Sequence, residues 1–491
     1  MAEFAELQRT LGPAWSANRP GGPPHVLIAL PSFSLGESIL AHYGERIPAL
    51  EHRYLLSSLM LPRIESCQLV FVCSVPPAPE MLDYYVSLAP PALRASARSR
   101  LRVVAVGERG ARSMAEKLLD RPWLLDEIRA SFAGRPAFIE PWNVTGHEVE
   151  IALRLGAPLN GTSPDLWPLG YKSTGRRLLR AAGVPVPAGQ EGVRTVDDVC
   201  AAIAAIRRER PDVPGVVVKH DNSGAGDGNQ VIVLTGLDGS PLSATDVRAR
   251  VEALPAWYLA DLELGGIVEE LVTGSKACSP SVQLDITPYG EVAVLSTHEQ
   301  VLGGQDNQVY VGCRFPAEPD YAPRLASYGA AVGRLLAERG VVGRLSVDFM
   351  AVEEAGRWSL YALEINLRKG GTTHPYSALR NLVPGDYHAA SGRWVAADGM
   401  PRCYSSTDNL IDPAWRGLPP ADVIRAVAAA GLQFDPRTGT GVVLHMLSCL
   451  EVDGRLGLIA IGRSRVQARR LYDDTAAAIA EQAGRVRVAA M

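Results

Sequence analysis

The sequence predicts an α/β protein whose later part opens into α+β lobes. Three observations predict it. Over roughly the first 155 residues, short apolar β-branched runs alternate with helical stretches, the pattern of a mostly parallel sheet. From there to about residue 385, strands dominate and their connections are short and hairpin-like. Beyond 385 the pattern becomes helix, hairpin and long terminal helix. The expected units are 1–155, 156–385 and 386–491. A chain of 491 residues is long enough for three or four domains.

The elements follow in order. Breakers from Arg19 to Pro24 (RPGGPP) separate a short N-terminal helix from the strand HVLIAL. QLVFVCSV, LRVVAVG and PAFIEPW are further strands. The helical stretches between them include ILAHYGERIPALEHRYLLSSLM and SMAEKLLDRPWLLDEIRASFA. The second unit begins near LNGTSPDLWPLGYKSTGRRLLRAAGVPVPAG, where Ser173 or Thr174 would cap a helix that Gly183 stops. After the helix VDDVCAAIAAIRRER come the strands GVVVKH, NQVIVLT, GGIVEELV, SVQLDIT, EVAVLSTHEQ, VGRLSVDFM and WSLYALEINLR. In the third unit DVIRAVAAAGL is helical, GVVLHMLSCLEVDGRLGLIAIG is a hairpin turning at Asp453-Gly454, and SRVQARRLYDDTAAAIAEQAG is the terminal helix. The sequence has no internal repeat and no low-complexity segment.

Composition excludes several classes. An apolar share of 47% with 21% charge is that of a folded globular chain, not a disordered one. A net charge of −4 argues against general nucleic-acid binding, which needs a basic surface. There is no apolar run of membrane-spanning length and no signal-peptide pattern at the N-terminus. Seven scattered cysteines without a CxxC pair read as buried thiols in a reducing compartment, so a cytoplasmic location is expected. Only five of the 49 basic side chains are lysine, at 117, 172, 219, 276 and 369.

Three segments carry chemistry. In VVVKHDNSGAGDGN, Val216 to Asn229, a strand ends at Lys219 and a loop from Ser223 to Gly228 holds Gly224, Gly226 and Gly228. Glycines let backbone N–H groups approach anionic oxygens, and the lysine adds a point charge. A plain glycine-rich hairpin is the alternative. In VGRLSVDFM and LYALEINLRKGG, Asp348 stands in one apolar strand and Glu364 and Asn366 in another. Glu364 and Asn366 share a strand face. With Asp348 they make a hard oxygen set suited to Mg²⁺. An ion pair between Glu364 and Arg368 is the alternative. In GGIVEELVTG a strand with Glu269 and Glu270 runs to a turn at Gly274, suited to an adenine hinge or to a solvated acidic strand end.

In this order, from about Pro158 to Pro375, these segments resemble the ATP-grasp superfamily of carboxylate–amine ligases, with E-I-N-x-R as the most specific piece. The resemblance implies an N-terminal Rossmann-like pre-ATP-grasp domain, a two-lobed ATP-grasp core and a small α+β C-terminal domain. It implies Lys172 and Lys219 on the phosphates under a mobile glycine loop, and an adenine hinge from Glu269 to Leu271. It implies Asp348, Glu364 and Asn366 on Mg²⁺, or Mn²⁺ in its place. Arg368 and Arg344 would stabilise the transferring phosphoryl group and the tetrahedral oxyanion. One departure is Lys276, where the family usually has an acidic ribose contact. The opening HVLIALPSFSLGES, the stretch LSTHEQVLGG to VYVGCRFPA and the tail TGTGVVLHMLSCLEVDGRLGLIAIGRSRVQA resemble the pheganomycin-type peptide ligases of actinomycete natural-product pathways. That implies ATP-dependent coupling of a carboxylate, often of an unusual amino acid, to the amine of an amino acid or peptide. Arg314 is a candidate carboxylate holder, His298 (with Gln300) a pocket-lining candidate, and His374 a neighbour of the acceptor site or a structural histidine. His445 reads as a core histidine. PSFSLGES lacks a GxSxG elbow, so Ser34 and Ser38 are not nucleophiles, and the segment lies where open α/β sheets bind ligands. The competing readings are a biotin-carboxylase-like enzyme, although no biotin-carrying lysine segment is present, and a non-catalytic nucleotide-binding protein. A homodimer is the commonest assembly for such a chain.

Overall fold

The computed structural model describes residues 2–223, 228–236, 238–303 and 309–490. Gly224 and Gly226 lie outside the described residues. Three sheets organise the molecule. In the first, β1 (His25–Leu30), β2 (Cys67–Cys73), β3 (Leu101–Ala105) and β4 (Ala137–Pro141) run parallel in the order β3-β2-β1-β4. All six residues of β1 are buried, as expected of a central strand covered on both faces.

The helical stretches around this sheet are more broken than expected. Residues 37–60 form the helices Glu37–Tyr43 and Ile47–His52, with tight 3₁₀ turns at Gly44–Arg46 and Arg53–Met60. Pro48 begins a fresh turn there. The next stretch splits into Met114–Leu119 and Pro122–Ala130. Pro122 has no N–H to continue the first helix but suits the first turn of the second.

The second sheet is antiparallel: β5 (Gly189–Val193), β6 (Gly215–His220), β7 (Asn229–Val233) and β8 (Gly266–Glu270), in the order β5-β8-β6-β7. Helix Val196–Glu209 packs Val199 and Ile203 against Val216, Val218 and Val268.

The third sheet holds eleven strands among the described residues. They are β9 (Lys276–Cys278), β10 (Pro280–Ile286), β11 (Val292–Gly303), β12 (Val309–Phe315), β13 (Gly343–Glu354), β14 (Arg357–Asn366), β15 (Gly385–His388), β16 (Arg393–Ala396), β17 (Pro401–Ile411), β18 (Gly441–His445) and β19 (Arg455–Gly462). The main path is β14-β13-β10-β11-β12-β17-β16-β15. The sheet therefore crosses the boundary expected at 385. β17 pairs with the edge of β12, bringing Phe315 opposite Tyr404 with stacked rings 4.9 Å apart. Without it, β12 would present an unpaired edge. Helix Ala322–Ala337 lies against this sheet. Gly329 and Gly333 let it approach: a Cβ there would meet Val282 at 2.8 Å and Val292 at 2.6 Å.

The expected C-terminal hairpin is β18 and β19, but its connection contains the helix Cys449–Asp453, ended by Gly454 at φ 75°. One core cluster joins Leu55 and Phe71 of the first region to Tyr404, Trp415 and Leu458 of the last. No helix among the described residues is long and apolar enough to cross a membrane. All seven cysteines are unbonded, and Cys200, Cys278 and Cys403 are only half-buried.

Candidate active site

The strand register aligns the acidic set. Asp348 of β13 stands opposite Glu364 of β14 on one side and Ser281 of β10 on the other. Ser281 Oγ donates to Asp348 Oδ1 at 2.7 Å, and Asn366 Nδ2 donates to Asp348 Oδ2 at 2.9 Å. Burial, with the Glu364 charge beside it, pushes the Asp348 carboxyl up to about 6, although Ser281, Arg368 and Lys172 pull the other way. Two carboxylates held together in a poorly solvated place favour a cation. The Asn366 amide, donating through nitrogen, keeps an acceptor oxygen. This hard-oxygen donor set fits Mg²⁺.

Lys172 is the first residue of helix Lys172–Ala181 and is buried. Its Nζ donates to Glu364 Oε1 at 2.6 Å and to the carbonyl of Ser223 at 3.3 Å. One lysine thus ties the acidic strand to the start of the glycine loop. Neither Ser173 nor Thr174 caps the helix. Tyr171 is the N-cap, and the cap comes from the end of β6: Asp221 accepts from Lys172 N through its carbonyl at 3.0 Å and from Ser173 N through Oδ1 at 2.8 Å. A cap borrowed from another strand fixes Lys172 relative to that loop.

Lys219 at the end of β6 donates to Glu269 Oε2 at 2.6 Å. The other oxygen of Glu269 takes Arg176 Nη1 at 2.5 Å. Glu269 is buried, with both oxygens occupied, so its side chain steers Lys219 and does not face a base. The Glu270 and Leu271 amides are also spent, on the carbonyls of Ala188 and Gly215 at 2.8 Å each. Glu270 Oε1 accepts from Ala188 N at 2.7 Å. Ser223 Oγ donates to the carbonyl of His220 at 3.1 Å. Gly228 is required by closeness: a Cβ there would lie 2.4 Å from that of Ser223. Lys276 is exposed, with its Nζ 4.9 Å over the Trp358 ring.

Arg344 and Arg368 line one small cleft with Lys369, Trp142, Asn143 and Asn160. Arg344 Nε is 3.6 Å from Asp285 Oδ1, and its buried Nη1 has no partner. Lys369 bridges Glu140 at 2.8 Å and also donates to the Pro141 carbonyl, which joins β4 to the exit of β14.

Two substrate candidates are corrected. His298 follows Ser281 in the strand register, but it is wholly buried and its Nε2 meets Tyr404 Oη at 2.5 Å. Burial pulls it down to about 3, so it is a neutral core histidine. Arg314 pairs in register with Glu299, and the next residue, Phe315, is the one that meets His298. Arg314 therefore points to the opposite face, away from Asp348. His374 is buried, stacked 5.7 Å from Trp142 at an interplanar angle of 9°.

Sequence reasoning missed Ser281, Asp221, Arg176, Lys369 and Asn160. Lys369 carried a signal, as a lysine beside Arg368 in a lysine-poor chain. The others are polar residues whose roles depend on long-range register.

A family model described as IQCH-like, ATP-grasp matches residues 252–369, and one described as PGM1 C-terminal domain matches residues 422–475. The L-propargylglycine–L-glutamate ligase of Streptantibioticus cattleyicolor is 32% identical over 459 residues, covering 90% of this chain and 91% of that protein. The IQ motif-containing protein H of Danio rerio is 23% identical over 275 residues, covering 48% of this chain and 26% of that longer protein. Among solved structures, the ADP complex of N5-carboxyaminoimidazole ribonucleotide synthetase superposes with a TM-score of 0.52 at 14% identity, covering 93% of this chain and 97% of that one. An ATP-analogue complex of biotin carboxylase from Campylobacter jejuni gives 0.53 at 13% identity, covering 90% and 88%. These two structures show a shared fold.

Proposed function

Because this chain belongs to the ATP-grasp carboxylate–amine ligases, we propose that its acidic strands and paired lysines activate a substrate carboxylate as an acyl phosphate and pass it to an amine. The chain is an ATP-dependent carbon–nitrogen ligase. A carboxylate resists attack by an amine at neutral pH. Attack of a carboxylate oxygen on the γ-phosphorus of ATP forms the O–P bond and releases ADP. The amine nitrogen then attacks the acyl carbon, and collapse of the tetrahedral intermediate expels phosphate and leaves the amide.

This chain's residues position these steps and neutralise charge. Asp348, Glu364 and Asn366 would hold Mg²⁺, or Mn²⁺, which when bound neutralises the nucleotide phosphates. Lys172, now on Glu364, turns to the phosphates, and Lys219 reaches them from its seat on Glu269. The loop from Ser223 through Gly224 and Gly226 to Gly228 covers the nucleotide and keeps water from the acyl phosphate. The adenine lies along the hinge from Glu269 to Leu271, whose Glu270 and Leu271 amides are committed to the sheet. Arg344 and Arg368 carry the negative charge of the transferring group. Residues 156–385 carry the nucleotide chemistry, while 1–155 and 386–491, joined in one core cluster, serve substrate recognition. The amine and the carboxylate both come from amino acids or short peptides, as the names of the substrates of the Streptantibioticus ligase suggest. The work takes place in the cytoplasm, in natural-product assembly.

The observation that carries this reading is the Lys172–Glu364 contact at 2.6 Å, which brings a phosphate lysine and a cation ligand to one point. Hydroxylamine tests it. With Mg·ATP and a substrate carboxylate, the trapped product is an acyl hydroxamate formed in step with ADP. Release of AMP, or of ADP without hydroxamate, contradicts an acyl phosphate.

A further inference from the structure

Beside the reaction centre lies a second polar cluster that the mechanism above does not use. Arg53, at the start of the 3₁₀ turn after β1's following helices, is buried to 5% exposure. Its guanidinium lies 5.2 Å over Trp142 and 6.0 Å over Phe33, and one Nη pairs with Asp408. Its Nε has no partner. The same holds for Tyr54 Oη, His374 Nε2 and both ring nitrogens of His445, all on residues at least nine-tenths buried. Tyr54 and His374 are in ring contact at 5.1 Å, and His445 Nε2 is 3.6 Å from Asp408. Buried polar atoms of native proteins are nearly always satisfied, so four neighbouring residues with unmet atoms point to something that is to be bound.

Backbone geometry marks the same place. Phe33 and Met446, which immediately follows His445, have φ of 43° and 54°. Such conformations in bulky residues cost free energy and gather at ligand sites. β17 is irregular against β19 between Thr407 and Leu410, and this re-aims Asp408. Asp408, at 17% side-chain exposure, opens the cluster to solvent.

The cluster adjoins the reaction centre. Trp142 stacks on His374, contacts Arg53 and lines the cleft of Arg344 and Arg368. Its carbonyl accepts from Lys369 N at 3.2 Å. An amino acid that supplies the attacking amine keeps its own carboxylate, which must be held away from ATP while the amine reaches the acyl carbon. We propose that Arg53, Tyr54 and His374 form the subsite for this free α-carboxylate of the amine-supplying amino acid, with Asp408 holding the guanidinium in place. The inference rests on the ligase reading above. Arg53 Nε and an Nη offer a planar pair of donors to a carboxylate, and the aromatic rings exclude water from it.

The test compares the wild type with Arg53→Lys and Tyr54→Phe. Each amino acid of a panel from L-alanine to L-glutamate is offered as acceptor, as the free acid and as its α-carboxamide. ADP release, amide mass and the KM values for acceptor and for ATP are recorded. The wild type should favour the free acid by roughly ten- to hundredfold in kcat/KM, the range of a buried charge-assisted hydrogen bond. Arg53→Lys should raise the acceptor KM and shrink that preference, with the KM for ATP unmoved. Tyr54→Phe should do the same to a smaller degree. A wild type indifferent to the carboxamide, or variants that keep the full preference, would overturn the subsite while leaving the ligase standing. Absence of any amide from the wild type would instead sink the ligase reading, and the subsite with it. If Arg53→Lys does not fold, as read by the absence of a cooperative melting transition, Tyr54→Phe decides.

Discussion

At the residue scale, the lysines tell the most. Four of the five are buried: Lys117, Lys172, Lys219 and Lys369. In a chain that otherwise uses arginine, a compact ammonium has been kept where a single point charge must fit a small place. The E-I-N-x-R motif and the ordered lysines were therefore legible in the sequence. The partner of each lysine was not, because Glu364, Glu269 and Glu140 meet them only through the fold. Replacing Glu364 by Ala should abolish substrate-driven ADP release, a loss of at least a hundredfold in a coupled ADP assay; near-normal turnover would remove it from the cation site. Glu269→Gln leaves Lys219 and Arg176 buried beside a neutral group. It should lower stability to urea by about 3–5 kcal/mol and raise the KM for ATP. Glu51 offers a pH test remote from the reaction. It is buried, bonded to Ser74 and 4.0 Å from Lys117, and burial raises it to about 7. The unfolded chain gives up this proton near its ordinary 4.5, so the wild type loses stability as pH rises from there to about 7. Glu51→Gln removes that dependence. Its stability relative to wild type should grow across this window by about 3 kcal/mol and then level off, as urea titrations at several pH values would show.

At the element scale, strand positions were readable because β-branched apolar runs have no other comfortable place. Helix continuity was less readable. The run through residues 37–60 has a helical pattern, yet it breaks into four short pieces around Gly44 and Pro48. Faces were the hardest. Arg314 is a basic residue in a promising strand, but its side depends on the register with Glu299. The glycine loop gives the prediction at this scale. In Gly228→Ala the new methyl would lie 2.4 Å from the Ser223 Cβ, so the loop base must shift. The KM for Mg·ATP should rise by roughly tenfold or more, and stability to urea should fall by about 1–3 kcal/mol, the range for overpacking at a buried position such as Gly228. A large loss of stability with an unchanged KM would contradict a loop that serves the nucleotide.

At the scale of the whole molecule, the change of sequence texture predicted three units, but not that one sheet runs from the second into the third. The sequence shows a change of texture near 385, and texture does not reveal that β17 completes the edge of β12. The packing of Phe315, Tyr404 and Trp394 makes the tail part of one core. A chain cut after residue 400 should therefore be insoluble or molten, not a working core with a missing lid. A soluble, ATP-binding fragment would contradict that. The central claim concerns the reaction. Purified protein is supplied with Mg·ATP and a panel of amino acids and short peptides, and ADP, phosphate and product mass are followed together. The account predicts one ADP and one phosphate for each product whose mass equals two panel members joined less one water. ADP release without such a product, or a product that requires bicarbonate in place of an amine, would contradict it.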